Sequence, residues 1–394
     1  MRRSRFATIV GGLLLGAQFV LPSAAVASSP TMTITADMPA AIPAGHLWGY
    51  NDFFPRSLRV HRGQTVAFSI QGFHTATLIP AGVTATAFRR ASGLLTADAD
   101  DTTRNPNGST HTELNLGAAF PFPGNCGTAA SPCSFDGSAP INSGAPLAGP
   151  VPDLNVKVDA PVGVYTFLCL IHPRMEGRLT VVADNETATS ARTAADRVGD
   201  QIRHDRAAGF AAEAAASIPR WIVNADGSRT WLMTAGTGSS DGYTAVNEML
   251  PANIAIHRGD RVVWKSRSVN EPHTVTFPTD LQTDMLPLCE AGSTDVPAVP
   301  TVIPPTGLGD FSCNGGPPDE IEFDGGNGVH TLTSPATVSD SGFIASWAER
   351  SGFGLPANSA AARWAVNVSK SATTGTYTYV CQIHDGMAGT IVVH

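Results

Sequence analysis

Short runs of alternating apolar and polar residues fill most of this chain. "LRVHRGQTVAFSI" (58–70) alternates on both sides of a His-Arg-Gly turn, and "IAIHRGDRVVWKS" (254–266) repeats the pattern far downstream. A period of two over a handful of residues predicts half-buried strands, with the glycine supplying the turn between them. "VYTFLC" (164–169) and "RLTVV" (178–182) predict a hairpin whose connecting loop holds residues 170–177. One stretch breaks the pattern. "NETATSARTAADRVGDQIRHDRAAGFAAEAAAS", Asn185 to Ser217, is proline-free and alanine-rich. It predicts one or two helical segments with Ala195, Val198 and Ile202 on one face, weakened at Gly199 and Gly209.

The strands come in two copies. "NDFFPRSLRVHRGQTVAFSIQGFHTATLIP" (51–80) and "NEMLPANIAIHRGDRVVWKSRSVNEPHTVTFP" (247–278) share an order: Asn, acid, two apolar residues, Pro, strand, His-Arg-Gly, strand, His-Thr. "SFDG" (134–137) is echoed by "EFDG" (322–325), and a closing hairpin ends each copy. A repeat this long means two tandem domains rather than a solenoid of small units. The 394 residues suffice for two cores, and 39 glycines, 29 prolines and 15% charged residues favour short strands joined by turns. The expected fold class is therefore all-β: two antiparallel sandwiches, residues 28–183 and 218–394, joined by a helical linker over 184–217.

The first 27 residues read as an export signal: Arg2, Arg3 and Arg5, an apolar "TIVGGLLLGAQFVL", then "AVA" at Ala25–Ala27 as a cleavage site. A membrane anchor is the alternative, but the glycines, the glutamine and the small-residue end favour cleavage, and no other stretch is apolar enough to span. The paired arginines leave the export route open. Cleavage removes three arginines and no acids, taking the net charge from −8 to −11. An acidic surface argues against nucleic acid as a partner and could suit a basic redox protein. Cys126 and Cys133, and Cys289 and Cys313, fall as two local pairs in the long insertions, one pair per half. In an exported protein they are expected as two disulfides. A zinc site is the rival, without the close Cys-x-x-Cys spacing it commonly uses.

Cys169-x-x-His172-x-x-Met175 and Cys381-x-x-His384-x-x-Met387 sit in the two hairpin loops. Thiolate, imidazole and thioether together suit copper better than a hard cation, and two histidines, a cysteine and a weak axial methionine make a blue-copper electron-transfer site. The repeat supplies the second histidine in register, His74 in "GFHTATL" and His273 in "EPHTVTF". The pattern resembles the cupredoxins, specifically plastocyanin and amicyanin. The loop Cys169–Gly177 is especially like that of amicyanin, while the second copy has Asp385 where the first has Pro173. The resemblance covers most of residues 45–183 and 220–394. It implies two Greek-key sandwiches with one type 1 copper each, His74, Cys169, His172 and Met175 holding one and His273, Cys381, His384 and Met387 the other. It also implies that His172 and His384 carry an exposed edge through which electrons leave. Site one has Pro173, Arg174 and Glu176 beside its ligands and site two Asp385, Gly386 and Ala388, a difference expected to separate their potentials or partners.

Two such domains also make up copper nitrite reductases and small laccases. Those enzymes need further copper-binding histidines, and here Leu168 and Val380 precede the cysteines and no His-x-His occurs. His46, His61, His111, His204, His257, His330 and His394 remain. His61 and His257 share one turn of the repeat, and the others are scattered. A methionine-rich tract, which would favour copper storage or delivery, is absent. "DADDTTRNPNG" (98–108) lacks the spacing of a calcium loop, and "NGS", "NET" and "NVS" are formal glycosylation triplets. The expectation is an exported one-electron carrier that meets redox protein partners.

Overall fold

The computed structural model describes residues 31–37, 42–92, 95–97, 112–114, 126–144, 146, 151–279, 321–322, 330–341, 344–352 and 363–394. The leader, His111 and the Cys289–Cys313 pair lie outside the described residues. Each half is a two-sheet β-sandwich. In the first, one sheet runs in the order Phe53–Phe54, Met32–Ala36, Thr65–Ile70, Leu154–Val158, Cys133–Phe135. The other runs Ile141–Asn142, Thr77–Leu78, Gly163–Leu168, Glu176–Val182, Ser57–His61. Successive strands cross from sheet to sheet before the closing hairpin, the Greek-key order expected. The second half repeats it. Arg229–Gly238 lies parallel to Arg261–Lys265 as Met32–Ala36 does to Thr65–Ile70, and Asn253–Ile256 lies parallel to Ala388–Val393 as Ser57–His61 does to Glu176–Val182. Both His-Arg-Gly turns close on a glycine at positive φ, Gly63 at 85° and Gly259 at 88°.

Alternation decides which side chains form each core. Ile34, Leu58, Phe68, Val156, Phe167 and Leu179 fill the first, and Met233, Ile256, Trp264, Val366, Tyr379 and Ile391 the second. The closing hairpins share one packing device. Phe167 lies over Gly177, where a Cβ would come within 2.1 Å of the ring, and Tyr379 lies over Gly389, where it would come within 2.4 Å. Glycine two residues after the methionine thus lets an aromatic ring cross the strand and seat the loop.

The segment between the sandwiches is one continuous helix, Ala191–Ala216, capped by Ser190, whose side chain accepts from the Thr193 N–H. Its buried face differs from the one the sequence suggested. Ala195 is exposed and Val198 and Ile202 are half-buried, while Ala194, Asp205, Gly209 and Ala216 are buried. Gly209 is no weak point: a Cβ there would meet the Thr244 methyl and the Trp48 ring at 2.8 Å. The helix is held by polar contacts as well. Arg56 donates to both Asp52 and Asp205 at 2.8 Å, its guanidinium lies 3.5 Å above the Tyr243 ring, and Thr244 donates to the Asp205 carbonyl.

Two backbone pairings cross between the halves. Trp48–Gly49 adds to the second half's sheet beside Ala245–Leu250, and Ile321–Glu322 pairs with Thr112–Leu114. Cys126 and Cys133 form the expected disulfide. No helix among the described residues is long and apolar enough to cross a membrane.

Candidate metal centres

Cys169 directly follows the strand Gly163–Leu168, and its side chain is buried in the core of the sandwich. The loop that follows is wound by two backbone bonds: the Cys169 N–H donates to the Met175 carbonyl (2.9 Å) and the Met175 N–H to the His172 carbonyl (3.1 Å). The second loop repeats them, Cys381 to Met387 at 2.8 Å and Met387 to His384 at 3.1 Å. The threonine after each distant histidine ties that histidine to the loop. The Thr75 N–H donates to the Cys169 sulfur (3.4 Å) while its hydroxyl accepts from the Leu170 N–H (2.8 Å). Thr274 does the same for Cys381 (3.3 Å) and Gln382 (2.8 Å). The His-Thr pair of the repeat therefore positions an imidazole and places a hydrogen bond on the thiol sulfur, a contact that tunes a copper–thiolate site.

Donor atoms converge in both halves. In the first, Cys169 Sγ lies 3.4 Å from His172 Nδ1 and 4.0 Å from His74 Nδ1, and the two Nδ1 atoms face each other at 2.8 Å. In the second, Cys381 Sγ lies 3.5 Å from His384 Nδ1, and one donor atom each of His273, Cys381 and His384 falls within 4.8 Å of the others. Met175 and Met387 are fully buried in the same clusters as the two cysteines. Six of the eight residues singled out in the sequence thus gather in two groups of three, and the two methionines are buried in the same cores.

The groups fit a soft ion. Two imidazole nitrogens at 2.8 Å cannot both carry a hydrogen between them. Both ring nitrogens of His273 are buried with no hydrogen-bond partner, an arrangement that costs stability unless something binds there. Thiolate sulfur with imidazoles is the donor chemistry of copper. Burial opposes ionisation of Cys169, but His172 and His74 override it and hold the thiol well below its ordinary range. His384 and His273 do the same for Cys381. Each cysteine is therefore disposed to be the thiolate that a metal takes.

The residues around the two groups differ. Asp37 stands 3.4 Å from His74 Nε2; burial and His172 push that imidazole's pKa down, while Asp37 and Cys169 more than offset them and raise it. Among the described residues no acid pairs with His273; burial lowers its pKa despite Cys381 and Glu271, and its ring lies on Gly236, with no room for a Cβ (1.8 Å from Nε2). Arg89, on the helix Ala85–Ser92, is buried beneath the first loop. It donates to the carbonyls of Cys169 (3.0 Å), His172 (3.3 Å) and Met175 (3.4 Å) and to Glu176 (2.9 Å). Nothing in the hairpin sequence pointed to Asp37 or Arg89.

The expected exposed edge is not found at His172, whereas the His384 side chain keeps 16% of its surface exposed. His172 is 3% exposed, because Pro173 and Arg174 dock on the second half: Pro173 covers Gly352, and the Arg174 N–H donates to Asn270 Oδ1 (2.8 Å). Its Nε2 meets Glu271 Oε1 at 3.0 Å, and the other oxygen of the same carboxylate lies 3.6 Å from His384 Nε2. Burial pushes the Glu271 carboxyl up, but the two imidazoles outweigh it and hold it well below the usual carboxylate range. Glu271 was not singled out in the sequence. Its one signal is an acid two residues before His273, where the first copy has Gly72.

Among the described residues a third group of possible donors, His46 with Glu213 (2.8 Å) and Glu248 (3.6 Å), offers one imidazole and no sulfur. It is partly exposed and placed as an ion-pair cluster beside Trp48 and Phe210.

No protein family model matches the chain, and no curated relative does. Solved structures similar to it include reduced auracyanin from Roseiflexus castenholzii, 17% identical over 40% of this chain and 99% of that one (TM-score 0.21). A mutant fern plastocyanin is 20% identical over 38% of this chain and 99% of its own (TM-score 0.18). A copper-containing nitrite reductase from Thermus scotoductus is 11% identical over 92% of this chain and 67% of its own (TM-score 0.20).

Proposed function

We propose that this chain is an exported one-electron carrier whose two cupredoxin-like domains each hold one type 1 copper. The observation that carries the reading is the paired convergence of His74, Cys169 and His172 and of His273, Cys381 and His384, buried and wound by the same backbone bonds. Met175 and Met387, both fully buried, would supply the fourth donor of each set, a thioether. Copper in such a set cycles between two oxidation states. The chain's part is to hold the donors where both states are tolerated, through the threonine of each half and, in the first, Arg89. A carrier is favoured over an oxidase or reductase by the sequence, in which Leu168 and Val380 precede the cysteines and no His-x-His occurs. Export rests on the leader pattern and the disulfide, and the partners are redox proteins.

Copper stoichiometry with visible and paramagnetic resonance spectra tests this. The mature protein should bind two equivalents with intense thiolate-to-copper absorption, and Cys169→Ser and Cys381→Ser should each lose one equivalent and its band. A colourless copper-loaded protein would refute the reading. A third ion in a different environment would replace it with an enzyme.

A further inference from the structure

We infer that the two centres form one electronically coupled pair, joined through the Glu271 carboxylate. This rests on reading both groups as copper centres. One ligand histidine of each centre turns its outer nitrogen toward the same side chain in an ion-pair contact: His172 Nε2 to Oε1 at 3.0 Å and His384 Nε2 to Oε2 at 3.6 Å. Every other link between His172 Nδ1 and His384 Nδ1 along this route is covalent, through two imidazole rings and one carboxylate. The three side chains are 4%, 13% and 16% exposed, so water has little part in the junction.

The bridge is built rather than accidental. Asn51 Nδ2, from the first half, donates to Glu271 Oε1 (2.9 Å), and the Glu271 N–H donates to Ser268 Oγ (2.8 Å). The adjacent Asn270, 1% exposed, fixes the gap between the loops by accepting from Arg174 and donating to the Gly242 carbonyl. A histidine meant to meet an outside partner would keep its edge clear, whereas His172 is closed off and turned toward the partly exposed His384. The step served is electron exchange. With copper held by both groups, His172, Glu271 and His384 would form the path by which one centre is oxidised as the other is reduced by the same electron. No bond forms or breaks, and the Nε2 protons stay on their rings. An electron accepted at one domain can therefore be handed on from the other.

Two measurements on the full chain test this. In the fully oxidised, copper-loaded protein, pulsed electron paramagnetic resonance should resolve an exchange coupling between the two ions beyond their dipolar interaction. That coupling should fall several-fold in Glu271→Ala, with Glu271→Gln, which keeps the volume and one acceptor, between them. In the metal-free protein labelled with ¹⁵N at histidine, the His172 Nε2–H should exchange slowly with water, and quickly in Glu271→Ala. Two intact centres with a purely dipolar interaction, or a coupling indifferent to Glu271, would overturn the bridge and leave the carrier intact. Absence of thiolate-to-copper absorption in the unmodified protein would instead sink the functional reading itself.

Discussion

Asp37→Asn should raise the reduction potential of the first centre and leave the second where it is. The substitution isolates charge. Asp37 has φ 65°, a left-handed conformation that asparagine also adopts, and asparagine keeps the oxygen that accepts from the Tyr50 N–H. What disappears is a carboxylate 3.4 Å from His74 Nε2, which makes the imidazole a stronger donor and favours the more positive, oxidised ion. Adding the span of the ring and a metal–nitrogen bond of about 2 Å puts the charge about 7 Å from the ion. At an effective dielectric of about 20 that distance is worth roughly 2 kcal/mol, or roughly 80 mV for one electron. The Asp37 side chain is 16% exposed, so screening could halve the figure, and the expected shift is roughly 40–80 mV upward. Spectroelectrochemical titration on a Cys381→Ser background, where only the first centre absorbs, measures it directly. A downward shift, or none, would refute the argument that this carboxylate separates the two centres.

Three further outcomes follow from contacts around the same loops. Gly236→Ala places a Cβ 1.8 Å from His273 Nε2 at a φ of +66°, so the second centre should lose its copper while the first keeps its spectrum, as metal analysis would show. Arg89→Met removes the cation from beneath three loop carbonyls and should destabilise the protein by about 3–5 kcal/mol in chemical denaturation. The first centre should then yield copper to a chelator faster than the second. Arg56→Met leaves the carboxylates of Asp52 and Asp205, both fully buried, without their shared cation; thermal unfolding should report a loss of about 3–5 kcal/mol with copper content unchanged.

What could be read from the sequence was what lies close along the chain. Cysteine, histidine and methionine share one loop, the fourth donor is marked by a threonine that the repeat retains, and a period of two names most of the core. The helix face was misread for a physical reason. Apolar periodicity assumes that apolar residues do the packing, but this helix buries Asp205 against Arg56 and approaches Trp48 through Gly209, so its contact face is polar and small. Arg89 escaped because it lies 80 residues from the cysteine carbonyl it holds. Glu271 escaped because its role appears only when the halves dock, and no pattern within one half encodes that docking.

The duplication also explains why acids, rather than ligands, distinguish the centres. Phe68 and Trp264 occupy one position of the repeat and pair with Ile34 and Met233, so Asp37 and Gly236, three residues further on, coincide. Gly72 and Glu271 coincide as well, each two residues before its histidine. The first half thus has an acid on the strand and a glycine in the loop, and the second half the reverse. The two cannot be combined in the first half, since a Cβ on Gly72 would lie 2.3 Å from the Asp37 carboxylate, nor in the second, since one on Gly236 would strike His273. Position decides what each acid can serve. At the end of the strand it reaches the Tyr50 N–H and the outer nitrogen of its own half's distant histidine. In the loop it stands at the rim, where the other half's loop docks, and its two oxygens reach one ligand histidine of each centre. The two copies, alike in their donors, thus differ in their surroundings by the placement of one acid and one glycine as well as by Arg89.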